Sequence, residues 1–153
     1  LSEEEGNRLT DIHWTNGKAH IATGSPFSAV TYNHQTMTIG QCNNALVFPG
    51  IGLAMSLAQP KHLSDEMLWA ATQAIIDYQN NQESPPALLP SMQESPTVAK
   101  HIAAAVIKQA IAEKLSDLDA NTDVQKLVND YYWEPHYAKY IHASSYQDNY
   151  RQY

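Results

Sequence analysis

The sequence predicts an α/β chain weighted towards helix, with one short strand and one hairpin ahead of a series of helices. Three observations carry this. β-favouring residues gather in two short runs, Lys18 to Thr23 and Val30 to Ile39, both broken by turn residues. Apolar residues then recur at helical spacing in runs that begin near Met67, Val98 and Val124. Residues suited to helix starts stand just before each of those runs.

In chain order, Glu3-Glu4-Glu5-Gly6 is acidic and solvated in character, and Thr10 to Trp14 reads as the end of a helix stopped near Asn16-Gly17. Lys18 to Thr23 is the strand candidate, ended by Gly24-Ser25-Pro26. Val30 to Tyr32 and Thr36 to Ile39 pair as a hairpin around Asn33-His34-Gln35, with His34 exposed in the turn. Ile51 to Ala58 is a short apolar helix closed by Pro60. Pro49 suits its first turn, and Gly50 and Gly52 permit close backbone approach.

Ser64 is the N-cap of the next helix, with Asp65 and Glu66 complementing its positive end and Leu63 stapled to Leu68. Its buried stripe is Met67 or Leu68, Ala71, Ile75 and Tyr78. His62, Asp65 and Glu66 could instead be read as metal ligands, but capping accounts for the placement of all three. Asn80 to Glu94 is a long connection whose Ala87-Leu88-Leu89 touches the body. Ser95-Pro96 caps a third helix. Val98, Ile102, Ala105 and Val106 form one face of it, and Ile107, Ile111 and Leu115 widen that face enough for two partners. Lys100, His101, Lys108 and Lys114 are its solvent side. Thr122 and Gln125 make a capping box for a fourth helix carrying Val124, Leu127, Val128 and Tyr131.

Composition narrows the function classes. The chain has 153 residues, the size of one domain by the usual prior of about 100–200 residues. A formal net charge of −7 argues against a nucleic-acid partner, which favours a basic stripe. Lys and Arg are scattered, so there is no polybasic membrane patch, and no apolar run approaches the roughly 20 residues that span a bilayer. The single cysteine, Cys42, has no intramolecular partner, consistent with a reducing cytoplasm. It reads as a small buried filler.

Ile39 to Leu53 is the densest stretch for chemistry. Asn43 and Asn44 offer hydrogen-bond donors and acceptors without charge, suited to gripping a carboxylate or a carboxamide. The alternative is an ordinary turn between a strand and a helix. Gly24 and Ser25 stand where ligands collect in open α/β sheets, at the carboxyl end of a strand. They too can be read as a turn stopped by Pro26.

Several blocks, in one order over roughly residues 10 to 140, resemble the malic enzymes. They are Trp14-Thr15-Asn16-Gly17, Ala22-Thr23-Gly24-Ser25-Pro26-Phe27, Gln41-Cys42-Asn43-Asn44 running into Phe48-Pro49-Gly50, Leu63-Ser64-Asp65-Glu66-Met67 and Leu88-Leu89-Pro90. Trp133 and Tyr137 are similar to the family's closing Trp-x-x-x-Tyr. The nearest likeness is to bacterial NAD-linked malic enzymes, with malolactic enzymes next.

The resemblance implies the C-terminal portion of a Rossmann-like NAD-binding domain over residues 1–115, then a C-terminal helix and an aromatic docking tail over 116–153. It implies a piece of a longer enzyme that oxidatively decarboxylates L-malate to pyruvate and carbon dioxide with reduction of NAD. Asn43 and Asn44 would contact the malate carboxylate, and Asn43, Gly24 and Ser25 would contact the nicotinamide. The divalent metal, magnesium or manganese, the acid–base pair and the phosphate-binding turn would come from sequence outside this chain. The chain alone would then be inactive. Its expected partners are L-malate, the remainder of the enzyme chain and further copies in a dimer or tetramer, with no nucleic acid and no membrane. A malolactic activity, or a non-catalytic helical module built on the aromatic tail, is the competing expectation.

Overall fold

A computed structural model describes residues 10–82, 87–134 and 137. Expectations for the acidic start, for Ser84-Pro85-Pro86 and for the tyrosines from Tyr140 onward lie outside them.

A helical stretch ends at residue 14, and Gly17 at φ +77° turns the chain away, its N–H bonding to the Ile12 carbonyl at 2.9 Å. Four short strands follow: β1 (Ala22–Thr23), β2 (Val30–Tyr32), β3 (Gln35–Met37) and β4 (Gly40–Gln41). β1 and β4 pair in parallel, Ala22 with Gly40 and Thr23 with Gln41. β2 and β3 pair antiparallel, Val30 with Met37 and Tyr32 with Gln35.

Both strand expectations shrink for one reason: a strand extends only as far as its ladder. Of Lys18 to Thr23, only the last two residues face a partner strand, although the Ile21 carbonyl still accepts from Gly40 N–H at 2.9 Å. In the hairpin, Asn33 at φ +48° and His34 at φ +65° are both left-handed, the backbone of a two-residue type I′ turn. Gln35 therefore belongs to β3 rather than to the turn. Tyr32 packs edge-on against His13, ring centroids 5.1 Å apart, fastening the hairpin to the first helical stretch.

Four helices form the body: α1 (Phe48–Ala58), α2 (Asp65–Asn80), α3 (Ser95–Ala112) and α4 (Val124–Tyr131). α3 is the axis, packed on α1, α2 and α4. Val98, Ile102, Ala103, Val106, Ile107 and Ala110 are fully or almost fully buried, so its apolar face is as broad as the spacing indicates. Gly50 lets α1 approach α3 closely: a Cβ there would stand 2.6 Å from Ile102 Cβ. Gly52 has open space where a Cβ would go, so the close approach expected of both glycines is real only at Gly50. The two C-terminal ends of α1 and α3 are joined by Ser116 Oγ donating to the Ala58 carbonyl and by Lys61 N–H donating to the Leu115 carbonyl.

Ser64 caps α2, its hydroxyl accepting from Met67 N–H at 3.1 Å, with Asp65 and Glu66 in the first turn. Met67 and Ala71 are the fully buried part of the stripe, Ile75 and Tyr78 are half-buried against the same core, and Leu68 is exposed. The other two caps fall elsewhere than the spacing suggests. Ser95 does not cap α3. A turn of 3₁₀ helix, Met92–Glu94, runs straight into it, and the capping box sits one turn earlier, with Glu94 accepting from the backbone and hydroxyl of Ser91. Pro96 is in the first turn, where its missing N–H costs nothing. At α4 the cap is Asp123, accepting from Lys126 N–H at 3.0 Å, because Thr122 is held in the preceding turn by Asp119.

Val124 and Val128 of α4 join the same core as α1 to α3. Lys100 is not simply on the solvent side. Its ammonium lies 4.4 Å from the Tyr132 ring and 3.8 Å from a Glu134 carboxylate oxygen, which holds the chain after α4 against α3. No helix among the described residues is long and apolar enough to cross a membrane.

Candidate functional site

The two parallel strands end side by side, and the candidate residues lie just past their ends. Thr23 closes β1 and is followed by Gly24 and Ser25; Gln41 closes β4 and is followed by Cys42, Asn43 and Asn44. Cys42 N–H donates to the Thr23 carbonyl at 2.8 Å, so the ladder reaches one rung beyond β4 and brings both turns to one edge. All four predicted residues, Gly24, Ser25, Asn43 and Asn44, are solvent-exposed.

Asn43 and Asn44 are not equivalent there. Asn43 has extended backbone and caps a turn of 3₁₀ helix, Asn44–Leu46, its Oδ1 accepting from Ala45 N–H at 2.9 Å. Its carboxamide oxygen is committed, and its NH2 group remains to donate. Asn44 keeps both its oxygen and its NH2 group. The turn is anchored from below by Leu46, buried in the body, and leads through Val47 into α1. Cys42, expected as a buried filler, is exposed beside Asn43, because the residue after β4 turns out from the sheet.

Gly24 is not forced by crowding. A Cβ there would meet nothing within 4 Å, so the described residues leave room at this tip for an incoming group. The Ser25 carbonyl accepts from the Thr23 hydroxyl at 2.9 Å. That bond makes Thr23 part of the arrangement, which the sequence signals only through a hydroxyl residue closing a strand before Gly-Ser-Pro. An open cavity of about 330 Å³ lies beside the strand pair, lined by Pro26, Phe27, Gly40, Gln41, Leu89 and Pro90 among others.

The chemistry on offer at this edge is neutral hydrogen bonding. Amide NH2 groups, an amide oxygen and a serine hydroxyl can hold a carboxylate or a carboxamide and fix its direction. No Asp, Glu, His, Lys or Arg lies from Ala22 to Ser25 or from Gly40 to Leu46. Among the described residues no three His, Cys, Asp or Glu side chains, His62, Asp65 and Glu66 included, gather closely enough to hold an ion.

Comparison with known proteins matches residues 2–111 to the family model described as malic enzyme, NAD binding domain. The chain belongs to the malic enzyme family. The fold is accordingly the Rossmann-like NAD-binding domain of malic enzymes, represented here by its parallel strand pair and the helices that follow it. Curated relatives named NAD-dependent malic enzyme include those of Shewanella oneidensis and Shewanella sp. strain ANA-3, each 40% identical over 136 residues. That alignment covers 87% of this chain and 24% of each relative. The enzyme of Aliivibrio salmonicida is 41% identical over 130 residues, covering 84% of this chain and 23% of the relative. The chain thus spans about a quarter of the length of these malic enzymes.

Proposed function

We propose that this chain is the part of an NAD-dependent malic enzyme that orients L-malate against the nicotinamide, in an enzyme converting malate to pyruvate and carbon dioxide. The observation that carries the reading is the shared edge of β1 and β4, with Asn43-Asn44 on one tip and Gly24-Ser25 on the other. NAD, when bound, supplies the electron acceptor. The donor set fits it: Asn43 NH2 and the Ser25 hydroxyl suit a carboxamide, and the open space at Gly24 admits a flat ring beside backbone.

Asn44 takes the malate carboxylate. A neutral amide holds that group by direction rather than by charge, and correct placement of C2 is where its contribution to rate arises. The divalent metal, magnesium or manganese, and the acid–base pair belong to the part of the enzyme outside this chain, so turnover is assigned to the whole enzyme. Of the C-terminal element assigned to residues 116–153, Val124, Val128 and Tyr132 pack on the body. The exposed aromatics Trp14, Trp69, Trp133 and Tyr137 support packing against the rest of the enzyme and against a second copy in a dimer or tetramer. A cytoplasmic location agrees with the exposed free thiol of Cys42.

The test is kinetic. In the whole enzyme, Asn44→Ala raises the malate KM or lowers kcat while the melting temperature is unchanged; unchanged kinetics in both Asn43→Ala and Asn44→Ala would remove the assignment. Release of NADH on adding malate, followed by absorbance, separates this reading from a malolactic activity, which keeps its nicotinamide bound.

A further inference from the structure

We infer that Thr23 is a positioning residue that sets the Gly24-Ser25 turn and the Asn43-Asn44 turn relative to each other. The inference rests on the binding reading above and assigns to Thr23 no contact with malate or NAD.

Thr23 works in both directions. Its hydroxyl donates forward to the Ser25 carbonyl at 2.9 Å, closing the turn that carries Gly24 and Ser25. Its own carbonyl accepts across the sheet from Cys42 N–H at 2.8 Å, the rung nearest the tips. Its Cα stands opposite Gln41, the last residue of β4. One residue therefore grips the first turn by its side chain and the second by its backbone.

Two features make the side-chain bond matter. Each strand contributes only two paired residues, so the ladder is too short to hold a loop beyond it in one orientation. Ser25 also precedes Pro26, which confines Ser25 to extended backbone. With that residue restricted, the hydroxyl on its carbonyl settles which way the Gly24-Ser25 segment faces. A valine at this position keeps the branched shape and the strand preference and loses only the donor. A serine keeps the donor and loses a methyl group.

The experiment uses the whole enzyme with Thr23→Val, Thr23→Ser, Asn43→Ala and Asn44→Ala. Malate kcat and KM are measured, together with the rate at which iodoacetamide alkylates Cys42, read from its peptide mass, with and without NAD and malate. Thr23→Val should raise the malate KM about fivefold, the factor for a net hydrogen-bond contribution of about 1 kcal/mol, at an unchanged melting temperature. NAD and malate should slow Cys42 alkylation in the wild type, and Thr23→Val should weaken that protection. Thr23→Ser should restore both. A valine variant that matches the wild type, or a serine variant no better than valine, overturns the inference. If valine unfolds the enzyme, Thr23→Ala replaces it with the same expectations.

The asparagine variants separate the two levels. If either is impaired and Thr23→Val is not, only the positioning role falls. If Asn44→Ala and Asn43→Ala are both silent, the binding assignment falls, and the positioning role falls with it because the turn then holds nothing.

Discussion

Two regions of this molecule obey different rules. Around α3, apolar side chains are packed from almost every side, a glycine admits a neighbouring helix at contact distance, and α2 and α4 open on side-chain caps. At the tips of β1 and β4 the strands are two residues long, the side chains are polar and exposed, and a Cβ on Gly24 would touch nothing. The contrast separates two tasks. Helix packing supplies the stability, since burial of apolar surface is the dominant favourable term. The strand tips keep polar groups available, and available polar groups are what a ligand needs.

If that division holds, glycines in one helix should respond with opposite signs. Gly50→Ala forces a methyl against Ile102 and the Ala99 carbonyl, 2.6 and 2.8 Å away, and should destabilise by about 1–3 kcal/mol in denaturant unfolding. Gly52→Ala adds a methyl in open space within the same helix and should be neutral or stabilise by up to about 1 kcal/mol. Equal losses at both positions would mean that α1 is not held against α3 as described.

A smaller effect sits where the helices meet their connections. Glu94 accepts from Ser91 N–H and Oγ at 2.8 and 2.7 Å and from the Tyr78 hydroxyl at 3.0 Å. The Ser91 hydroxyl and backbone, more than Tyr78, lower its pKa below the ordinary glutamate value, against a desolvation penalty that acts the other way. A carboxylate depressed in the folded state stabilises above its unfolded pKa, and that contribution disappears as pH falls through the folded value. Glu94→Gln should therefore cost about 1 kcal/mol near neutrality and flatten the loss of stability below about pH 4.5. Tyr78 is shifted upward, by burial first and by Glu94 next. Its contribution is present below about pH 10 and fades as pH rises further.

The helical half was legible in the sequence because its signals are local or periodic. Ser64 caps as its neighbours suggest, and Val98, Ile102 and Val106 fall on the buried face that their spacing marks. What failed there was placement, by one turn at α3 and by one residue at α4. Ser91 with Glu94, not Ser95, opens the approach to α3, since a 3₁₀ turn can precede a helix without a sequence break. Asp123, not Thr122, caps α4, because two adjacent residues had suitable oxygens and only the turn to Asp119 decides between them.

The strand half was legible in outline only. The hairpin could be read from Asn33-His34, whose left-handed backbone suits its turn. Strand length could not, because it depends on how many residues of a distant segment lie alongside. The rung from Cys42 N–H to the Thr23 carbonyl depends on the same pairing. Asn43 and Asn44 were visible as uncharged amides before an apolar run, but the commitment of Asn43 Oδ1 to a cap is a property of the turn. The family blocks drew attention to this edge more strongly than composition could.

Amide hydrogen exchange on the whole enzyme, with and without NAD plus malate, tests the division between the two regions most directly. Ligand should slow exchange in the peptides covering Thr23 to Ser25 and Cys42 to Leu46, while the α3 peptides, already the slowest, stay unchanged. Protection confined to the helices, with both strand-tip peptides exchanging at the same rate in either condition, would contradict the account.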